Sequence, residues 1–225
     1  MSSTFYQQRH APSARELAFY ICHSPLKRIF DIVFSLTVLI FLSPLFLAIA
    51  LTVKLTSKGP ILFSQTRIGR GGKSFHCLKF RTMFSDSEKR LTDLLNSNPT
   101  VKQEWTETRK IKNDPRITPF GRLLRKTSLD ELPQFINAIK GDLSVVGPRP
   151  VVYDELINFY GSVATKLLSV RPGITGLWQV SGRSDTSYKA RVELDEKYID
   201  TRTLWLDIKL IVKTIPCILF SKGAY

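Results

Sequence analysis

The spacing of hydrophobic positions changes repeatedly along this chain, and each change marks an element. From Ile32 to Val53 the run "IVFSLTVLIFLSPLFLAIALTV" contains no charged side chain, and its length approaches the ~20 apolar residues a bilayer core requires. Pro44 falls near its middle. The missing amide and the ring clash predict a kink or break at Ser43-Pro44, and the Ser43 hydroxyl can engage backbone groups freed there. The pattern leaves three readings open: a re-entrant hairpin that enters and leaves on one face, a straight span, and a buried core helix. A removable signal peptide is excluded, because the run starts well inside the chain and no small-residue cleavage site follows it.

Beyond it, "GPILFSQTRIGRGGKSFHCLKFRTM" (59–83) reads as two short strands, one around Ile61, Leu62 and Phe63, the other around Phe75, Cys77, Leu78 and Phe80. Gly69, Gly71 and Gly72 form the turn between them. Helical composition returns over Ser85–Leu95 and Val101–Ile111, with a turn at Asn96–Pro99 and Trp105 as a packing anchor. Leu132, Phe135, Ile136 and Ile139 keep helical spacing up to Gly141, and "SVVGPRP" then leads into a stiff turn with Arg149 between two prolines. Near the end, "TLWLDIKLIVKTIPCILF" has the pattern of an amphipathic helix, lying at a membrane interface or packed on the core, which Pro216 should end or bend. Residues 1–20 are polar and predict a weakly ordered segment.

Composition narrows the partners. A chain of 225 residues buries one core. Three scattered cysteines and three histidines exclude a disulfide framework and a structural zinc site. A formal net charge of +14 implies an anionic partner: nucleic acid, an anionic membrane face, or a phosphate-rich small substrate. No zinc finger, RNP motif or basic zipper is present, so nucleic acid is not expected. Lys27 and Arg28 precede the apolar run, while Lys54, Lys58, Arg67, Arg70, Lys73, Lys79 and Arg81 follow it without an intervening acid. Both flanks therefore look cytoplasmic, which favours the hairpin.

Against this basic background, "KTSLDELPQF" (126–135) sets Asp130 and Glu131 side by side after Lys110, Lys112, Arg116, Arg122, Arg125 and Lys126. Ser128-x-x-Glu131 has the form of a capping box, but that register carries Pro133 too far into the helix. A start at Asp130 puts Pro133 in the first turn, with Asp130 as the cap. Capping accounts for one carboxylate and leaves the other for chemistry.

Taken together, "KRIFD", Ser43-Pro44, the glycine hairpin ending in "KFRTM", "NDPRITPFGRLLRKTSLDELPQFINAIKGDLSVVGPRP" and "RPGITGLWQVSGR" resemble the bacterial sugar transferase family, the monotopic phosphoglycosyl transferases. The match runs over nearly the whole chain from Lys27. What the resemblance implies is an α/β, mainly helical protein of three parts. These are a polar segment 1–26, a re-entrant membrane helix 27–56 broken at Ser43-Pro44, and a cytoplasmic catalytic domain 57–225 with interfacial amphipathic helices. The reaction implied is transfer of a sugar 1-phosphate from a UDP-sugar to undecaprenyl phosphate, with release of UMP, at the cytoplasmic face of the bacterial inner membrane.

On the family pattern Asp130 is the nucleophile and Glu131 its partner in binding magnesium. Lys79, Arg81, Arg149, Arg171, Gln179 and Arg183 fall at positions suited to phosphate, nucleotide or sugar, and Asp195 and Tyr198 support them. The length of 84–112 resembles the hexose-1-phosphate enzymes, hence UDP-galactose or UDP-glucose. Anionic lipids are expected partners, and a homodimer is left open. The rival reading is a membrane-attached, non-catalytic protein that binds anions through its basic surface.

Overall fold

The computed structural model describes residues 25–108, 111, 114–182 and 186–219; the polar N-terminal segment 1–20 and Arg183 lie outside them. The apolar run forms two helices, α1 (Pro25–Phe41) and α2 (Ser43–Thr56), bent by 65° about Leu42. No single helix among the described residues is long and apolar enough to cross a membrane; this bent pair, taken together, has the length and apolar composition of one. The break falls where the sequence puts it. Pro44 lies in the first turn of α2, where its missing amide costs nothing, and the Ser43 hydroxyl donates to the Ile40 carbonyl at 2.8 Å.

Each helix of the pair has two unlike faces. Asp31 and Ser35 of α1, with Ile49 and Val53 of α2, are buried against the rest of the protein. Leu26, Ile29, Val33, Ile40, Phe41, Leu47, Leu51 and Leu55 are exposed. A carboxylate buried in an apolar helix is tolerable only with partners, and Asp31 has them. Its Oδ1 meets Lys27 Nζ at 2.9 Å and accepts from the Ser144 hydroxyl at 2.9 Å and the Val145 amide at 3.0 Å. Lys27 also reaches Asp207 at 2.9 Å, and Tyr198 Oη lies 2.8 Å from Asp207 and 3.0 Å from the Val146 carbonyl. One turn along, the Arg28 guanidinium donates to the Ala138 and Ile139 carbonyls, closing the C-terminus of the helix they end.

The hairpin pairs β1 (Leu62–Ile68) with β2 (Ser74–Phe80) in antiparallel register from Leu62↔Phe80 to Ile68↔Ser74. α3 (Ser87–Ser97) and α4 (Pro99–Thr108) follow, separated only by Asn98, a tighter junction than the expected turn. The insert is fastened by a buried pair: Asp114 accepts from the Arg116 guanidinium at 2.7 Å, and that guanidinium lies 5.0 Å from the Trp105 ring centroid.

Next come α5 (Pro119–Lys126), a 3₁₀ turn over Leu129–Glu131 and α6 (Gln134–Lys140), which stops at Gly141 with φ +95°, a conformation few side chains tolerate. A parallel pair, β3 (Ser144–Val146) with β4 (Gly173–Thr175), brackets a helical turn that widens into a π-turn at Leu156–Tyr160, and α7 (Ala164–Ser169). Gly173 is obligatory there, since a Cβ would stand 2.1 Å from the Gly147 nitrogen.

Two helices complete the described chain, α8 (Tyr188–Thr201) and α9 (Leu204–Leu219). α9 does not end at Pro216; the lost amide removes a single ladder bond. Its Trp205, Ile208, Val212 and Ile215 are exposed, as the amphipathic pattern implies. The protein is mainly helical with a small sheet component, and its largest apolar cluster gathers Val145, Val146, Leu156, Leu167, Leu168, Ile199 and Leu210.

Replacing Asp31 with Ala strands Lys27 against Asp207 and empties the acceptor of Ser144 and Val145. Losing one member of a buried ion network costs about 3–5 kcal/mol, so thermal unfolding in detergent should fall by about 10 °C.

Candidate active site

The carboxylate pair sits on a strained turn. α5 opens with Thr118 accepting the Gly121 amide at 2.9 Å and Pro119 in its first turn, and closes with Arg125 and Lys126 in its last. Ser128 then takes φ +56°, alone among described non-glycine residues in being positive, and strain of this kind concentrates at functional sites. The turn of Leu129, Asp130 and Glu131 follows, with Pro133 just ahead of α6. Neither expected capping register occurs: Ser128 makes no side-chain cap, and Pro133 itself precedes the helix. Both carboxylates are therefore available for other work.

Their environments differ. Glu131 is partly exposed, and its Oε1 meets Lys79 Nζ at 2.6 Å. Burial pushes the Glu131 carboxyl up, but Lys79, with Arg149 and Arg67 beyond it, holds it below its ordinary value. Asp130 is 7 % exposed. Its burial lifts the carboxyl to about 6; Lys79 and Arg125 pull it down, while Glu131 pushes it up. Two adjacent carboxylates thus have separated affinities for the proton, the arrangement from which acid–base and nucleophilic roles are built.

α6 fixes the distance from this turn to β2. The Asn137 amide spans the free edge of the strand, accepting from the Leu78 N–H at 2.9 Å and donating to the His76 carbonyl at 2.8 Å. Lys79 and Glu131 are thereby held as a contacting pair in the lining of a cleft of about 290 Å³, its open mouth included, lined also by Arg67, Cys77, Gln134, Arg149, Pro150, Gly173, Ile174 and Gln179.

Lys79, Glu131, Arg149 and Gln179, which the sequence singles out, come together here. Arg149 Cζ lies 5.7 Å from the Trp178 centroid, and the Gln179 amide donates to the Ile174 carbonyl at 3.2 Å. Beneath Arg149, Asp195 is fully buried and accepts the Tyr160 hydroxyl at 2.9 Å; burial raises its carboxyl to about 7. Tyr198 bonds the strand that leads into the same turn.

Arg81 and Arg171 are placed elsewhere. The Arg81 guanidinium is spent on α2, donating to the carbonyls of Ser57 at 2.7 Å, Val53 at 3.3 Å and Pro60. Arg171 donates to the Gly141 carbonyl at 2.8 Å, away from the cleft lining. Arg67, Cys77, Gln134, Pro150, Gly173 and Ile174 also line the cleft and were not among the expected site residues. Arg67 was within reach: once the hairpin register is set, it shares a face with Cys77 and Lys79.

A cation-walled cleft lined by Glu131, with Asp130 buried next to it in the chain and outside the lining itself, suits group transfer on an anionic, phosphate-bearing substrate. The chain's comparisons agree with that class. The model of the bacterial sugar transferase family matches residues 22–221. The chain is 49% identical over 199 residues to the exopolysaccharide production protein ExoY of Sinorhizobium fredii, covering 88% of each chain. Identity is 50% over 201 residues to the undecaprenyl-phosphate galactose phosphotransferase of Salmonella typhimurium. It is 40% over 207 residues to the UDP-glucose:undecaprenyl-phosphate glucose-1-phosphate transferase of Escherichia coli. These two alignments take in 89% of this chain but only 42% and 41% of the longer relatives. The chain belongs to the bacterial sugar transferase family.

Asp130 also sets a stability dependence on pH. Its carboxyl is raised from the ordinary 3.8 to about 6, so the folded state favours the proton. As pH rises through that window the unfolded chain ionises first and stability is lost, and the loss persists above it. Asp130→Asn should therefore be more stable than the parent at pH 7.5 by about 1–3 kcal/mol, a gain that fades below about pH 4. Chemical denaturation at the two pH values measures it.

Proposed function

We propose that this protein transfers a sugar 1-phosphate, from UDP-galactose or UDP-glucose, to undecaprenyl phosphate and releases UMP, as a membrane step of surface polysaccharide synthesis. The observation that carries the reading is the Asp130–Glu131 turn facing Lys79 at the end of a cleft walled by Arg67 and Arg149. The names of relatives support both sugars.

The reaction runs in two displacements. An Asp130 carboxylate oxygen attacks the sugar-bearing β-phosphorus, the bond to the bridging oxygen breaks, and UMP leaves with that oxygen. The phosphosugar remains on Asp130 as an acyl phosphate. A phosphate oxygen of undecaprenyl phosphate then attacks the same phosphorus, forming the lipid diphosphate sugar and freeing the carboxylate. Burial of Asp130 suits this path, because it keeps water from an intermediate that water would hydrolyse. Lys79, Arg67 and Arg149 offset the charge of the diphosphate during attack.

Among the described residues no cluster of His, Cys, Asp or Glu could hold a metal alone. The donor set fits a magnesium ion that arrives on substrate phosphates, for such an ion keeps waters and takes one or two carboxylates from the protein. Glu131 would hold it, and the ion would neutralise phosphate charge.

The exposed apolar faces of α1, α2 and α9 support a seat in one leaflet. The bent pair, roughly 27–56, then forms a re-entrant hairpin, and residues from 57 onward form a catalytic domain on the cytoplasmic side, next to anionic headgroups.

With magnesium and undecaprenyl phosphate, detergent-extracted protein should release UMP from UDP-galactose or UDP-glucose, and Asp130→Asn should lose release by at least about 10³-fold. Silence of both sugars in folded protein would sink the reading of the donor. Without acceptor, labelled UMP should exchange into the UDP-sugar; turnover without such exchange would replace the two displacements by direct transfer in a ternary complex.

A further inference from the structure

Charged and amide side chains dominate the walls of the cleft, with Ile174 its one large apolar side chain, yet the acceptor in the reading above carries a long hydrocarbon tail. The tail therefore needs an apolar exit beside the reacting phosphate. The hairpin register places one. Phe63 stands directly opposite Lys79, and directly opposed residues of an antiparallel pair project from the same face. Phe63 therefore shares the face that carries Lys79 and, further along, Cys77 and Arg67 of the cleft. It is 53 % exposed, the one large hydrophobic side chain of the hairpin in that state.

In the other direction along β2 the face leads toward the membrane helices. Arg81, two residues or about 7 Å beyond Lys79, grips the carbonyls that end α2. α2 carries Leu47, Leu51 and Leu55 at a spacing of one helical turn, all exposed, the stripe ending at Leu55 near the helix C-terminus. The Phe63–Lys79 rung thus stands between the charged cleft and the end of an apolar stripe. It has an ammonium on one strand for a phosphate and a phenyl ring on the other for hydrocarbon.

We propose that Phe63 is the first apolar contact of the acceptor's isoprenoid chain, with the lipid phosphate at Lys79 and the tail continuing past Phe63 toward Leu55 and the bilayer. The proposal rests on the reading of a phosphate-headed polyprenol as acceptor. It assigns the choice of a lipid over free phosphate or water to a side chain outside the carboxylate site.

Kinetics with Phe63→Ser and Phe63→Leu test it. In Phe63→Ser the KM for undecaprenyl phosphate should rise on the order of tenfold, the loss expected for removing one half-buried aromatic contact, while the KM for the UDP-sugar stays put. Phe63→Leu should restore most of the acceptor affinity. An unchanged acceptor KM, or an equal rise for both substrates, overturns the assignment. So does a Phe63→Ser protein that fails only to float with vesicles, since that marks a membrane anchor and no more.

A second measurement does not depend on turnover. Polyprenyl phosphate with a diazirine in its first isoprene unit should, on illumination, label β1 within residues 62–66. Labelling confined to other segments rejects the proposal even if the reaction class holds. Labelling of β1 without any transfer keeps the docking site and rejects the reaction.

Discussion

Lys27 lies between Asp31 and Asp207, and the architecture depends on that placement. Its ammonium is 2.9 Å from each carboxylate, so it joins the first turns of a bent apolar helix pair to the first turn of the C-terminal helix. The same two carboxylates then reach inward, Asp31 to Ser144 and Val145 and Asp207 to Tyr198. Two buried carboxylates sharing one partly exposed ammonium are costly in an apolar setting, and hydrophobic replacements of similar volume often serve stability as well or better. Their benefit here is directional. Apolar packing alone lets a helix slide or rotate, whereas fixed hydrogen bonds to β3 set the rotation of α1. The polar stripe of the pair then faces the domain, and the leucine-rich stripe faces out.

From this anchor the placement of the cleft follows by short steps. β3 runs directly into the turn that carries Arg149, and Gly173 lets β4 press against that turn at backbone distance. Arg28 caps α6, and Asn137 of α6 stitches the edge of β2. Lys79 on β2 and Glu131 just before α6 are thus positioned by elements that α1 holds at one end. Arg81 closes the loop by tying β2 to the end of α2. A motion of the helix pair in its surroundings would be felt at the Lys79–Glu131 contact through two independent hydrogen-bonded routes.

Periodicity made much of this legible. The broken apolar helix, the glycine hairpin and α6 up to Gly141 each announced themselves through spacing and turn residues. The site was legible only in outline. Asp130, Glu131, Lys79 and Arg149 stood out as charges in unusual company, but a string of basic residues does not say which face each one serves. Arg81 illustrates the limit. It is two residues from Lys79 on the same face, yet the carbonyls of Val53, Ser57 and Pro60 claim it, and those acceptors become adjacent only after α2 folds back. Arg67 fails in the opposite direction, since only the strand register puts it on the same face as Lys79, four residues along the hairpin. The capping signals at Ser128 and Asp130 misled for a related reason. Local hydrogen-bond preference is worth about 1 kcal/mol, less than what the surrounding packing and ion pairs can impose.

The electrostatics of the turn then make sense of a carboxylate pair in a chain of net charge +14. Surrounding cations would ordinarily drive both carboxyls to low affinity for protons, and for Glu131 they do. For Asp130 desolvation outweighs Lys79 and Arg125, and its carboxyl rises to about 6. A carboxylate becomes a better nucleophile as its affinity for the proton climbs, so the rise would favour the proposed attack on phosphorus. A value still below neutrality keeps most of it ionised near pH 7 and would leave it a competent leaving group in the proposed second displacement. The two proposed half-reactions make opposite demands on one carboxylate. A fully exposed aspartate beside these cations would satisfy only the second, and one buried without them would satisfy only the first.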